Sequence, residues 1–490
     1  MVDTTAPPIA FVWTRRHVLA LIVLCLAALL DTVDVTVVNV AMPAIRQSLH
    51  FSESGLSWMV NAYLVPFGGF LLLGGRAGDL LGRRRVLVAG TAAFALASLG
   101  SALAPSAGVM VGTRAAEGLA AAFVVPMTLA LLSSVFPAGP GRNRAFAVWG
   151  GVSAAAGTLG LILGGVLVTA VGWRWIFLVN LPVGALVVAA ALRLLPADGP
   201  GPALSRAGFD VGGALSVTAG TSLLAYAVVQ TGRHPWDSAR TIALLAVAAA
   251  LIGYFLIHER FVATSPLMPL ALWRNRSVAG ANLVSALLAT ALFAVFYSTT
   301  LYMQQVLHYS ALRTGLAYVP FGLSILVAAA FAPALVTLAG IRWTTIAGAL
   351  TSVIGFALLA RIPAGGQLLS DVIGPTVAVG LGGGIMIVPT SIAAMSGVAA
   401  AGHGVASALL NVSRQLGGAL GLAVISTIVA GATSRSAAAG HGSAVALTAG
   451  FRAGFVISAG LILVSVLTAA ALLREEGRGQ RVNLLELQAG

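Results

Sequence analysis

Lysine is absent from this chain of 490 residues: all 27 basic residues are arginine. That absence excludes a Gly-x-x-x-x-Gly-Lys-[Ser/Thr] phosphate loop, whose lysine reaches the terminal phosphates, and with it a nucleotide-driven pump of that kind. Cysteine is nearly absent. Cys25 stands alone, so neither an internal disulfide nor a cysteine-built metal site is possible. The seven histidines are scattered near helix ends without ligand spacing, and neither Gly-x-Ser-x-Gly nor His-Glu-x-x-His occurs, which removes two common hydrolase frames. The sequence therefore implies no metal, no cofactor and no enzyme.

Charge of either sign is also scarce. Only 8% of residues are charged, against roughly 25% in a soluble domain. Uncharged runs such as 86–104 and 242–257 approach the ~20 apolar residues that cross a bilayer core. They recur almost from end to end, and mean hydropathy is +0.98. The composition is that of an all-α polytopic membrane protein, with the lipid bilayer as its solvent. The net charge of +13 does not point to nucleic acid, because the arginines stand singly or in twos and threes, with no basic stripe interleaved with aromatics. Arg15, Arg16 and the run 18–30 imitate a signal peptide. No small-residue cleavage pattern follows, so this is read as a retained first transmembrane helix.

Hydropathy and loop punctuation predict about fourteen spans. Six lie within 1–196, two follow a Pro/Gly-rich linker within 197–260, six more lie within 261–474, and 475–490 form a tail. An even count places both termini on one side. Seventeen arginines fall on the side of the termini and eight on the other, with Arg114 and Arg414 inside spans. The positive-inside rule then predicts that both termini are cytoplasmic. An Ala/Gly/Arg-rich chain without lysine fits a GC-rich bacterial genome and hence a bacterial plasma membrane. A faint internal repeat pairs Gly82-Arg83…Gly90 with Gly340-Ile341-Arg342…Gly348, in corresponding places of the first and last six spans.

Charged groups inside spans are costly and point to function. They are Asp31, Asp34, Arg114, Glu117 and Arg414, with Asp371 near a helix entrance. Asp31 and Asp34 share one helix face, as do Arg114 and Glu117. For Arg414 a substrate contact, a counter-ion to a membrane acid and a snorkelling end are all open, the counter-ion being favoured. Asn61, Tyr63, Tyr297, Tyr302 and Gln304 are candidate cavity-lining groups. The stretch GGRAGDLLGRRRVL (74–87) crowds Arg76, Asp79, Arg83, Arg84 and Arg85 into ten positions between apolar runs. Its glycines suit a tight turn, its arginines anchor topology, and Asp79 beside them makes a latch of charge-assisted hydrogen bonds feasible.

The pattern formed by Gly75, Arg76, Asp79, Gly82, Arg83 and Arg84 resembles the loop between helices two and three of the major facilitator superfamily, with Leu80 where a basic residue is usual. LDTVDVTVVNVAMP (30–43), WMVNAYLVPFG (58–68), WRWIFLVNLPVG (173–184), LYMQQVLHYSALRTGLAYVP (301–320) and SRQLGGALGLAV (413–424) resemble signatures of its 14-helix drug:proton antiporters. The resemblance implies a major facilitator fold, two six-helix bundles plus two extra helices. It implies proton-coupled efflux of small hydrophobic drugs or antibiotics by alternating access. The alternative is an exporter or importer of an endogenous lipid or metabolite on the same fold. The match falls on Asp34 in the first helix. RAAEGLAAAFVVP (114–126) matches the fourth-helix motif, whose arginine is tied to proton transfer; Glu117 replaces its glutamine, adding a second protonation site or quenching Arg114. Gly160, Gly164 and Gly165 match the fifth-helix antiporter motif, with Leu161 in place of its proline.

Overall fold

The computed structural model describes residues 13–474 except 57, 137–139, 199–209, 232–233, 235, 264–269, 397 and 399–402. The expected tail at 475–490 and most of the Pro/Gly-rich linker therefore lie outside the described residues. All regular structure among the described residues is helical. That is the expected outcome where no water reaches the backbone, because a helix satisfies its N–H and C=O groups within one segment. Ten described helices are long and apolar enough to cross a membrane, and three shorter apolar helices accompany them.

The long helices, in chain order, begin with α1 (Arg15–Leu49), α2 (Trp58–Leu81), α3 (Arg83–Ala102), α4 (Ala107–Val135), α5 (Pro140–Ala170) and α6 (Asn180–Leu194). Next come α7 (Val211–Gln230), α8 (Ala239–Phe261) and α9 (Arg276–Leu301). The helical run Val319–Leu359 breaks at Gly340, giving α10 (319–339) and α11 (341–359). Then follow α12 (Gly374–Met395), α13 (His403–Ala438) and α14 (Ser443–Leu472). Side-chain caps fix several starts. Thr14 and His17 form a reciprocal box at α1, and Ser106, Asp210, Ser238 and Asn275 cap α4, α7, α8 and α9. Each satisfies an N–H that the first turn would leave without a partner.

α1 packs against α4, α5 and α6, while α2 and α3 pack on α4. In the second group α9 packs on α12, α13 and α14, and the α10–α11 pair packs on α12 and α14. α7 and α8 pack together, and α7 lies against both α2 and α13. The groups meet where α2 touches α13 and where α5 touches the short helix Ala311–Ala317. At the Leu49 end, Gln304 donates to the Val40 carbonyl at 3.0 Å. A methyl on Gly165 would come 2.8 Å from the Ala311 carbonyl oxygen.

The faint sequence repeat has a geometric counterpart. Gly82 (φ 100°) and Gly340 (φ 83°) both occupy backbone conformations that favour glycine, each just before a helix. Two residues after each comes an arginine. Arg84 Nη1 donates to the Leu195 carbonyl at 3.2 Å, and Arg342 Nε donates to that of Leu473 at 2.9 Å. Leu195 and Leu473 are the C-caps of α6 and α14, the last helix of each group. Both arginines thus cover carbonyls left open at a helix end. We expect Gly82→Ala and Gly340→Ala each to cost about 1–3 kcal/mol, since each forces a side chain into a sparsely populated conformation. Thermal unfolding of the detergent-purified protein checks this, and an unchanged Tm in either variant would contradict it.

Candidate functional site

Arg114 on α4 is 1% exposed, and its guanidinium is the hub of a polar cluster inside the first group. Its Nη1 donates to Asp34 Oδ2 at 2.5 Å and also to a Glu117 carboxylate oxygen one turn along α4. Nε donates to the Met59 carbonyl at 3.2 Å. The guanidinium carbon lies 4.4 Å from the Tyr63 ring centroid and 5.9 Å from that of Phe177, a cation–π cage. Asp34 and Glu117 are both fully buried. Asp34 Oδ1 accepts from Asn180 Nδ2 at 2.9 Å, Glu117 Oε1 accepts from the Ser101 hydroxyl at 2.7 Å, and Asn180 also donates to Ser98. Tyr63 donates its hydroxyl proton to Asp31 Oδ1 at 2.5 Å. One cation therefore holds two carboxylates directly, with a third, Asp31, joined to the cluster through Tyr63, in a site drawn from α1, α2, α3, α4 and α6.

Sequence reasoning names Asp31, Asp34, Arg114 and Glu117, and the structure brings all four together. It also draws in Tyr63, expected as a cavity-lining group. Asn180, Ser98 and Ser101 were missed. Asn180 sits inside the recognisable WRWIFLVNLPVG stretch, but nothing in its spacing shows that it reaches Asp34.

The arginine-rich loop is fastened within the first group. Asp198 accepts hydrogen bonds from the backbone N–H of Arg84 and Arg85 at 2.9 and 3.0 Å. It caps α3, where Gly82 has no side chain to do so. Arg83 donates to the Ala130 carbonyl, and Arg84 also reaches that of Leu192. Arg76 and Gly75 lie in the last turns of α2, and the side chain of Asp79 lies outside the described residues. On α5, Gly160 and Gly164 face Thr36, Val33 and Val37 of α1, and Gly165 faces the helix Ala311–Ala317. Leu161 is fully buried, and its carbonyl receives Gly315 from that helix. The glycine stripe thus seats α5 on both α1 and the second group.

These features can be set beside known proteins. Residues 24–422 match the family profile described as Major Facilitator Superfamily. The chain belongs to that superfamily. It is 37% identical over 427 residues to "Cephamycin export protein CmcT" of Amycolatopsis lactamdurans, covering 87% of each chain. It is 35% identical to "Puromycin resistance protein pur8" of Streptomyces alboniger, covering 92% of this chain and 90% of that one. Among solved structures, an auto-inhibited POT family peptide transporter superposes with a TM-score of 0.66 at 16% identity, covering 95% and 99% of the two chains. The fold is the all-helical major facilitator fold, and the chain is a multi-pass membrane transporter rather than an enzyme.

Within that fold the remaining candidate residues separate. Tyr302 is fully buried, donates to the Pro363 carbonyl at 2.6 Å and meets Phe451 edge-on, so it packs the second group. Tyr297 is 5% exposed, and Gln304 spans the two groups. Arg414, on α13, is partly accessible and donates to Ser391 Oγ at 3.3 Å. Asn61 is fully buried, yet neither its Nδ2 nor its Oδ1 has a hydrogen-bond partner among the described residues. No group of His, Cys, Asp and Glu among the described residues is arranged to hold a metal.

Asn61 and Arg114 call for opposite outcomes. An unpartnered buried amide costs about 1–3 kcal/mol, so Asn61→Leu should raise the Tm of the purified protein. Arg114→Leu strands buried carboxylates and should destabilise by about 3–5 kcal/mol. Thermal unfolding in one detergent compares the two, and a shift of the same sign in both would contradict this account.

Proposed function

We propose that the chain exports hydrophobic drugs or antibiotics across a bacterial cytoplasmic membrane in exchange for protons. Relatives aligned over most of both chains carry names of antibiotic export and resistance, which supports the substrate class. The observation that carries the coupling is the charge imbalance around Arg114. Asp34 and Glu117 share one guanidinium, Asp31 adjoins them through Tyr63, and in a site of low dielectric several like charges cannot all persist unneutralised. Proton uptake is the direct route to neutrality. Arg114 then acts as the internal competitor: a rearrangement that moves it away from Asp34 favours protonation, and its return expels the proton.

On this reading the fourteen helices are spans, arranged as two six-helix bundles with α7 and α8 added. Both termini are cytoplasmic. The joint made by Gln304–Val40 and Gly165–Ala311 then lies at the outer face, and the substrate cavity opens inward between the bundles. The loop 74–87 is anchor and gate at the cytoplasmic face. α7 covers the seam between α2 and α13, with Thr218 donating to the Gly69 carbonyl and Thr427 to that of Val228. The unpartnered Asn61 amide is a group poised for another state of the cycle. An inward-moving proton contributes about 2.3 kcal/mol per 100 mV, enough to bias alternating access.

Purified protein in vesicles with an imposed pH gradient tests the coupling. Asp34→Asn should abolish gradient-driven export and drug-induced proton release; full gradient-dependent export by this variant would move coupling away from Asp34. Topology reporters provide an independent check. Fusions after Arg84 and Arg478 should report cytoplasm and one near His234 the outside, and a cytoplasmic His234 would overturn the fourteen-span arrangement.

A further inference from the structure

Arg114 and Arg414 are the two arginines expected within spans, and they differ in what answers their charge. Arg114 is enclosed by carboxylates. Arg414 has one polar contact among the described residues, the Ser391 hydroxyl on α12 at 3.3 Å. No carboxylate among the described residues forms an ion pair with it, so the described residues supply no acid for the counter-ion role favoured from the sequence. The second group's acid, Asp371, accepts from Gln367 N before α12 begins. Ser391 lies near the far end of α12, and twenty helical residues separate the two by about 30 Å.

A guanidinium in an apolar stretch is costly without an anion, yet this one is partly accessible rather than sealed. Its neighbours on α13 repeat the pattern. Asn411, one turn away, and Gln415, the next residue, are both partly accessible, and neither side chain has a hydrogen-bond partner among the described residues. Ser413, between them, is already engaged with Asn282 Oδ1 at 2.8 Å. Among the described residues, one short stretch thus carries a cation without an anion and two side-chain amides without partners. Guanidinium and amide N–H groups together suit an oxyanion, which accepts several charge-assisted hydrogen bonds at once.

We infer that α13 carries an anion-recognition site centred on Arg414, with Asn411 and Gln415 as further donors, that selects substrates bearing a carboxylate or similar oxyanion on an apolar body. This rests on the export reading and narrows its substrate class. Arg414 supplies the charge and orients the head group. The apolar surface of the surrounding helices takes the body.

The test uses a dansyl-labelled long-chain carboxylic acid and its methyl ester, which differ in charge and little in shape. Binding to purified protein and gradient-driven transport in vesicles are measured separately. The wild type should bind the acid about tenfold or more tighter than the ester, a gap of about 1.4 kcal/mol or more. Arg414→Gln should lose that preference while binding the ester as before, and Arg414→Lys should keep part of it. Ester binding doubles as the folding control, and Gln415→Leu, which leaves the charge in place, should weaken the acid selectively. Equal affinities in the wild type, an undiminished preference in Arg414→Gln, or equal loss of acid and ester would each overturn the inference. So would competitive displacement of the acid by phosphatidylglycerol with no acid transported, which would assign the site to a lipid head group. Arg414-dependent binding without gradient-driven movement of either compound, and without lipid competition, would instead sink the export reading and leave the anion site standing.

Discussion

The Arg114 guanidinium is enclosed by protein, and its charge is met by groups that other helices bring to it. The placement of α1, α2, α3 and α6 is therefore tied to one point on α4. Asp34 arrives from α1, the Met59 carbonyl and the Tyr63 ring from α2, Ser101 through Glu117 from α3, and Asn180 through Asp34 from α6. Apolar contacts between helices in lipid are weakly directional, because lipid tails are as apolar as the side chains they replace. A charged network is directional, and it sets which faces of α1, α2, α3, α4 and α6 turn inward. The same network holds more acid than base, so the interaction that organises the group is also the one proposed to change with protonation.

The two ends of the molecule are held by different physics. At the Arg83 end, arginines and Asp198 satisfy exposed helix termini within the first group, and Arg342 does the equivalent in the second. At the Leu49 end, glycines let backbones of opposite groups meet, and Gln304 donates a side-chain hydrogen bond to Val40 across the seam. The contacts at the first end are internal to a group and stiffen it. Those at the second end join groups through close packing and the Gln304–Val40 contact, an arrangement suited to parting and re-forming.

Charge is divided unequally between the halves. The first half concentrates carboxylates around Arg114, whereas Arg414 in the second has no carboxylate in ion-pair contact among the described residues. Helical geometry is repeated, down to the paired glycines and the arginines that follow them, but the ionic content is not. A repeated scaffold with distinct charge sets suits the separate chemistry proposed for the two halves, proton exchange in one and head-group recognition in the other.

Much of this was legible in the sequence because membrane burial leaves few options. Scarce charge and long apolar runs require helices, and glycine at 82 and 340 marks turns that side chains resist. The cost of burying an ion picks out Asp31, Asp34, Arg114, Glu117 and Arg414 against an apolar background. What the sequence could not decide was who meets whom. Helical spacing relates residues on one face of one helix, so Arg114 and Glu117 were paired in advance. Nothing local relates Asp34 to Asn180, 146 positions away, or Arg84 to Asp198 in a linker. Tyr63 and Tyr302 were alike as polar aromatics until packing set one over Arg114 and the other against Phe451. Arg414 read as a counter-ion because a buried cation needs an anion; only the tertiary structure showed that no carboxylate among the described residues forms an ion pair with it.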